Sequence, residues 1–182
     1  MTTTPEYADS YYAATALGTR EHPALAGDCL VDVCVIGGGF TGLSAALNLA
    51  EQGLTVVLLE AERVGYGASG RCGGLVGSGQ RKDVLETEKM FGLERSRDLW
   101  NFAESAKEEI RARVEKHDIA CDLQRGQLVG IHKKRYLGSS QDLVDALTER
   151  YAYPHCNALN TEQVRRTLPP MISSRVCTTQ KR

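Results

Sequence analysis

Nowhere in these 182 residues does an apolar stretch approach the ~18 residues that a membrane-spanning helix needs. The opening MTTTPEYADSYYAATA has neither the charged start nor the apolar centre of a secretory signal, so a cytoplasmic location is expected. A charge bias is missing too. With a net charge of -1 and a pI near 6.4, nothing draws the chain to nucleic acid or to a membrane surface. Six cysteines, at 29, 34, 72, 121, 156 and 177, show no CxxC spacing and no grouping with histidines. That pattern argues against a zinc or iron–sulfur site, and His155 beside Cys156 does not make one alone. Without an export signal, the cysteines are expected to be free thiols. Internal repeats and low-complexity tracts are absent. A chain 42% hydrophobic and 25% charged can bury one domain-sized core.

What is present is concentrated between residues 32 and 60, DVCVIGGGFTGLSAALNLAEQGLTVVLLE. The apolar run Val33 to Ile36 predicts a strand that enters Gly37-Gly38-Gly39-Phe40-Thr41-Gly42. A helical pattern follows, with Leu43, Ala46, Leu47 and Ala50 on one face to bury on a sheet and Gly53 at the C-terminal cap. A second β-rich run, Thr55 to Leu59, ends on Glu60. Strand, glycine turn, helix, strand and acid is the order of a dinucleotide-binding unit. Gly37 permits the tight turn, Gly39 lets the main chain approach a pyrophosphate, and Gly42 lets the helix lie near the strand. The helix start would turn its N–H groups and positive dipole end to the phosphates. Glu60 lies 18 residues after Gly42 and 23 after Gly37, around the usual ~20-residue offset of a ribose-binding acid. A carboxylate there accepts bonds from both ribose hydroxyls and repels a 2′-phosphate, so FAD or NAD fits and NADP does not. The alternative is that the glycines only shape a βα turn; the agreement of both strands, the helix, the cap and the acid weighs against it.

Residues 60 to 76, EAERVGYGASGRCGGLV, carry five glycines (65, 67, 70, 73 and 74). Their spacing suits a loop that wraps closely around a ligand, or equally a flexible linker. Together, GGGFTGLSAALNLAEQG, LLEAERVGYGASGR and Gly73-Gly74 resemble the FAD-dependent D-amino acid oxidase-like superfamily. Within it the likeness is to bacterial amine oxidoreductases of the gamma-glutamylputrescine oxidase type. Supporting pieces are SYYAATA (Ser10 to Ala16), Ile119-Ala120-Cys121-Asp122 and Gly126-Gln127-Leu128, so the likeness runs from about Tyr11 to about Pro170.

The resemblance implies FAD as cofactor and an α/β fold: a Rossmann-like FAD-binding βαβ unit, following helices, and the start of a mixed-sheet substrate domain. It assigns Gly37, Gly39, Phe40, Thr41 and Gly42 to the pyrophosphate and Glu60 to the adenosine ribose. Ala68, Ser69, Gly70 and Arg71 would follow the phosphate–ribityl part, with Gly73 and Gly74 beside the isoalloxazine ring. Relatives usually carry Asn before the glycine pair, where this chain has Cys72. A thiol lacks the amide's paired donor and acceptor, and a small-residue replacement is the simpler reading than a covalent flavin tether. The implied reaction is oxidation of the C–N bond of an amine or amino acid. No catalytic residue is assigned, because in the family the pocket walls come largely from segments beyond these. The four histidines (22, 117, 132 and 155) lie outside both glycine motifs.

The remainder reads as helical. A short helix is predicted from Lys82 to Phe91, stopped near Gly92, and a long one from Glu94 to Lys116. The long helix would bury the stripe Leu99, Phe102, Ala103, Ala106, Ile110 and Val114, with Trp100 packing beside it. Its charges, Lys107 and Glu104 among them, read as a solvated face in which Glu109 attracts Arg113. Gln127 to His132 is strand-like, and Lys133-Lys134-Arg135 is a solvated turn or a basic end facing an anionic substrate. Ser139 with Asp142 marks a helix start, and Asn160 with Gln163 a short helix ended by Pro169-Pro170. The last dozen residues resemble neither strand nor helix of the family. The expected divisions are an N-terminal segment (1–28), part of an FAD-binding domain (29–118) and an incomplete substrate domain (119–182). On this reading the chain is truncated: an FAD-dependent oxidoreductase in part, or a non-catalytic remnant that binds FAD weakly or not at all. An NAD-linked reductase is disfavoured by the second glycine loop.

Overall fold

The computed structural model describes residues 7–17, 22–131, 133–167 and 176–179. They fall into two compact units, Met1–Leu75 and Val76–Arg182.

In the first unit, α1 (Tyr11–Thr15) precedes β1 (Val33–Ile36), α2 (Phe40–Glu51) and β2 (Val56–Leu59), and a 3-10 turn follows at Ala68–Arg71. β1 and β2 pair in parallel, Val33 opposite Val56 through Ile36 opposite Leu59, with α2 as the crossover. A clamp that sequence reading missed sets this register. The Asp32 carboxylate accepts from the Thr55 backbone N–H (2.8 Å) and hydroxyl (2.5 Å), and its own N–H donates to Thr55 O at 3.0 Å. The Thr55 hydroxyl and then its N–H hold the Asp32 carboxyl below its ordinary value. The face expected to bury along α2 is only partly covered. Ala46 and Leu47 are half-buried, while Leu43 and Ala50 are exposed, because two strands make too narrow a sheet to cover a twelve-residue helix.

The second unit is built on α3 (Val84–Lys116), capped where the Asp83 carboxylate accepts from Glu86 N–H at 2.9 Å. The two helices expected here are both present, joined at Gly92, whose φ of +78° breaks the helical path. Next come β3 (Gln127–Gly130), a 3-10 turn (Lys134–Tyr136), α4 (Leu137–Tyr151), β4 (Cys156–Leu159), α5 (Thr161–Thr167) and β5 (Val176–Thr179). Trp100, Val144, Leu147, Tyr151, Tyr153 and Cys156 form the core, with Trp100 edge-on to Tyr151 (5.7 Å) and Tyr153 (5.1 Å).

Four expectations change. Trp100 is buried as expected, but Phe102 and Ile110 of the predicted stripe are exposed at 73% and 42%. Lys107, assigned to the solvated face, is buried at 4%. The face of α3 that meets the unit's core runs through Ser96, Trp100 and Lys107, because the aromatic pair from α4 and the chain after it outweighs a narrow stripe of smaller residues. α4 begins at Leu137 and not at Ser139: the preceding 3-10 turn carries the helix start upstream, and the Ser139 hydroxyl donates back to Tyr136 O. Within the last dozen residues, Val176–Thr179 is a strand lying antiparallel between β3 and β4. Three of its four residues are β-branched, and both its edges find partners. The reciprocal cap at α5 forms as expected, Asn160 N–H to Gln163 Oε1 (2.8 Å) and Gln163 N–H to Asn160 Oδ1 (3.0 Å). His132 and Pro169-Pro170 lie outside the described residues.

Burial, with help from a hydrogen bond to Glu88 and its charge, pushes the Tyr151 phenol up to about 12. The unfolded chain ionises this phenol first, near its ordinary value of 10, so stability should fall as pH rises from there to about 12. Ultraviolet titration of the folded chain should show one late phenolate, absent from Tyr151→Phe. A single common phenolic transition would contradict this.

Candidate cofactor-binding site

Gly37 leaves β1 with a φ of +103°, and its N–H donates to Leu59 O at 2.7 Å, which ties the turn to the end of β2. A Cβ added at Gly42 would stand 1.9 Å from Gly37 O, so only glycine lets the first turn of α2 lie on the turn that precedes it. α2 starts after Gly39, which has no side chain with which to cap it. An added Cβ at Gly37 would meet no atom within 4 Å, leaving open space beside this helix start. A helix start without a cap from its own N-terminal residue, and with its positive dipole end there, suits a pyrophosphate.

Glu60 stands at the end of β2 and its Oε2 accepts the Gly38 N–H at 2.6 Å, while Oε1 accepts Glu62 N–H at 3.1 Å. The Gly38 N–H, then that of Glu62, holds the Glu60 carboxyl below the ordinary glutamate value of 4.5. Gly38 is buried, and a Cβ on it would press on the Glu60 carboxylate at 3.2 Å. The position was not among the expected site residues, although the middle glycine of GGG was its visible trace.

The two glycine motifs are brought together. Gly65 N–H donates to Gly38 O at 2.9 Å, and Phe40 N–H donates to Ser69 Oγ at 3.0 Å. Ser69 therefore caps α2 from a distant loop and touches the space in front of Gly39, whose added Cβ would lie 2.9 Å from Ser69 Oγ. Ala68, Gly70 and Arg71 share its 3-10 turn, and Gly70 packs so closely on Gly65 that a Cβ would come within 2.0 Å of Gly65 O. Cys72 closes that turn with its N–H on Ser69 O (3.3 Å), and its thiol is exposed. Gly73 and Gly74 face Tyr12 of α1. Thus Gly37, Gly39, Phe40, Thr41, Gly42, Glu60 and Ser69 surround one helix start, with Ala68, Gly70 and Arg71 beside it. The acid, the helix start and the hydroxyl fit the nucleotide half of FAD. Of the described histidines, His117 and His155 belong to the second unit.

A model of the FAD dependent oxidoreductase family (DAO) matches residues 32–179. The chain belongs to this family. The proteins to which it is similar include the probable oxidoreductase OrdL of Rhizobium meliloti (strain 1021), 42% identical over 85% of this chain and 36% of the relative. The gamma-glutamylputrescine oxidoreductase of Escherichia coli (strain K12) is 38% identical over 88% of this chain and 38% of its own length. The chain thus spans well under half the length of these relatives. Among solved structures, L-amino acid deaminase from Proteus myxofaciens, in complex with anthranilate, superposes with a TM-score of 0.59. It is 20% identical over 89% of this chain and 34% of that one, which shows a shared fold. The cofactor of the family is FAD, and the mixed α/β architecture expected from the sequence is the one found. Among the described residues, no helix is long and apolar enough to cross a membrane.

Proposed function

We propose that this chain is the nucleotide-binding portion of an oxidoreductase that uses FAD to oxidise the C–N bond of a small amine or amino acid, in the manner of gamma-glutamylputrescine oxidoreductase. The observation that carries the reading is Glu60 held on the Gly38 N–H beside an α2 start that has no side-chain cap of its own. When bound, FAD supplies a two-electron acceptor for the carbon that bears nitrogen. The residues named here would bind and orient it: Gly37, Gly39, Phe40, Thr41 and Gly42 at the pyrophosphate, and Glu60 at the ribose. Ala68, Ser69, Gly70 and Arg71 would follow the chain to the ring, with Gly73 and Gly74 beside it. With FAD bound, the Phe40 N–H that now donates to Ser69 Oγ would be available to a phosphate oxygen. The similarity to relatives with oxidoreductase names supports the reaction class, and the exposed thiols of Cys29, Cys34, Cys72 and Cys121 suit a reducing, cytoplasmic setting.

A second reading, a remnant with little or no affinity for FAD, is favoured by one observation. Leu30, Ile36 and Phe40 are exposed at 101%, 85% and 63%, and among the described residues β1 and β2 pair only with each other. A visible spectrum of the purified chain, desalted with and without added FAD, separates the two. Retained flavin bands support the first reading; a colourless product supports the second. If FAD is retained, Glu60→Ala should weaken its binding by about tenfold or more, the loss of a charge-assisted ribose contact of ~1.5 kcal/mol. Unchanged affinity in a titration of that variant would remove Glu60 from the site.

A further inference from the structure

The segment before β1 is tied across the second glycine loop at two points. The Tyr7 hydroxyl donates to Val64 O at 2.8 Å, with the Arg63 guanidinium 5.6 Å from the centroid of the Tyr7 ring. Further on, α1, capped where Ser10 Oγ accepts Ala13 N–H at 3.2 Å, packs on the 3-10 turn Ala68–Arg71. That packing brings Tyr12 to the flavin end of the loop. A Cβ on Gly73 would lie 4.0 Å from the Tyr12 hydroxyl oxygen, and one on Gly74 4.0 Å from a carbon of its ring. Tyr12 is nevertheless 43% exposed and stands edge-on to Tyr11 at 5.8 Å, so its ring is held by a neighbour without being consumed by a core.

We propose that Tyr12 is a flavin-contacting residue: its ring covers the Gly73-Gly74 step and supplies an aromatic contact to the isoalloxazine, held there by the strap from Tyr7 to Thr15. The proposal rests on Gly73 and Gly74 lying at the flavin ring. Two glycines in succession leave a bare backbone on which a planar group can settle, and Tyr12 borders the space that side chains at both positions would fill, so a group settled there would meet an aromatic neighbour. Cys72, which precedes the pair, offers the ring no paired amide donor and acceptor, so the contact from α1 carries more of its positioning.

The test is flavin fluorescence in the intact chain, because a phenol in contact with excited flavin quenches it by electron donation and a phenyl ring does not. FAD added to the wild-type chain, to Tyr12→Phe and to Tyr11→Phe is followed by emission and by a separate binding titration. Tyr12→Phe should bind FAD within about twofold of wild type, since the stacking area is kept, yet its bound flavin should emit several-fold more brightly. Tyr11→Phe should match wild type in both. Bound flavin equally dark in Tyr12→Phe would overturn the role of Tyr12 and leave the FAD reading intact. A wild-type chain that does not take up FAD would overturn the FAD reading, and this contact with it.

Discussion

Gly42→Ala should weaken FAD binding by about 100-fold or more, a loss of roughly 2.8 kcal/mol, and destabilise the first unit by about 2 kcal/mol. The methyl group would be built 1.9 Å from Gly37 O and 3.1 Å from Gly37 C, both backbone atoms that no rotamer change can clear. Relief must come from lifting α2 off the turn. That movement breaks the alignment of the helix start with Gly37–Gly39 and carries Phe40 N–H away from Ser69 Oγ, now 3.0 Å apart. Cofactor and fold therefore suffer together. Gly67→Ala is the matched control: its Cβ would meet nothing within 4 Å and its backbone is not left-handed, so both properties should stay near wild type. Titration with FAD and urea denaturation of the two variants decide the matter, and a Gly42→Ala chain that binds like Gly67→Ala would show that α2 does not sit where the pyrophosphate binds.

Lys107→Met should cost about 3–5 kcal/mol, a large share of the roughly 5–15 kcal/mol that holds a domain together. Lys107 is 4% exposed and its Nζ lies 2.6 Å from Ser78 Oγ, 2.5 Å from Glu104 Oε2 and 5.3 Å from the centre of the Tyr153 ring. Removing the ammonium leaves the Glu104 carboxylate four-fifths covered and without its cation, while its Oε1 is already buried with no hydrogen-bond partner. The damage is thus the stranded charge more than the lost bonds. Lys107→Met combined with Glu104→Leu removes both charges at once and should recover most of the stability. Denaturant midpoints of the single and double variants measure the difference. A double variant as unstable as the single would mean that packing, and not the unpaired carboxylate, sets the cost.

Local signals carried the first unit. Val33 to Ile36, the glycine turn, α2, the run ending at Leu59 and Glu60 itself are all marked by residues within a few positions of their partners, and they stand where the sequence places them. Long-range partners left no such mark. Nothing near Ser69 announces that it will cap a helix 29 positions earlier, and nothing near Asp32 points to Thr55. Lys107 is polar by type and buried only because Ser78 and Tyr153, 29 residues before and 46 after it, converge on it. β5 likewise depends on two flanks that come from elsewhere in the chain. Local pattern reads elements well and their tertiary company poorly, since burial in the end decides the fate of a charge.

The position of β5 also sets an order of events. It is the middle strand of its sheet, yet it is the last of the three to leave the ribosome, and it pairs Gln127 with Thr179, 52 positions apart. Among the described residues, β3 and β4 have no ladder to join until it arrives, because each bonds to β5 and not to the other. The helices meet no such delay: the aromatic cluster of Trp100, Tyr151 and Tyr153 is complete once Tyr153 has been made. Loop-closure entropy places the long-range pairing after the nearby one. During synthesis, the second unit can therefore pack its helices before its sheet, which needs the last strand on both sides.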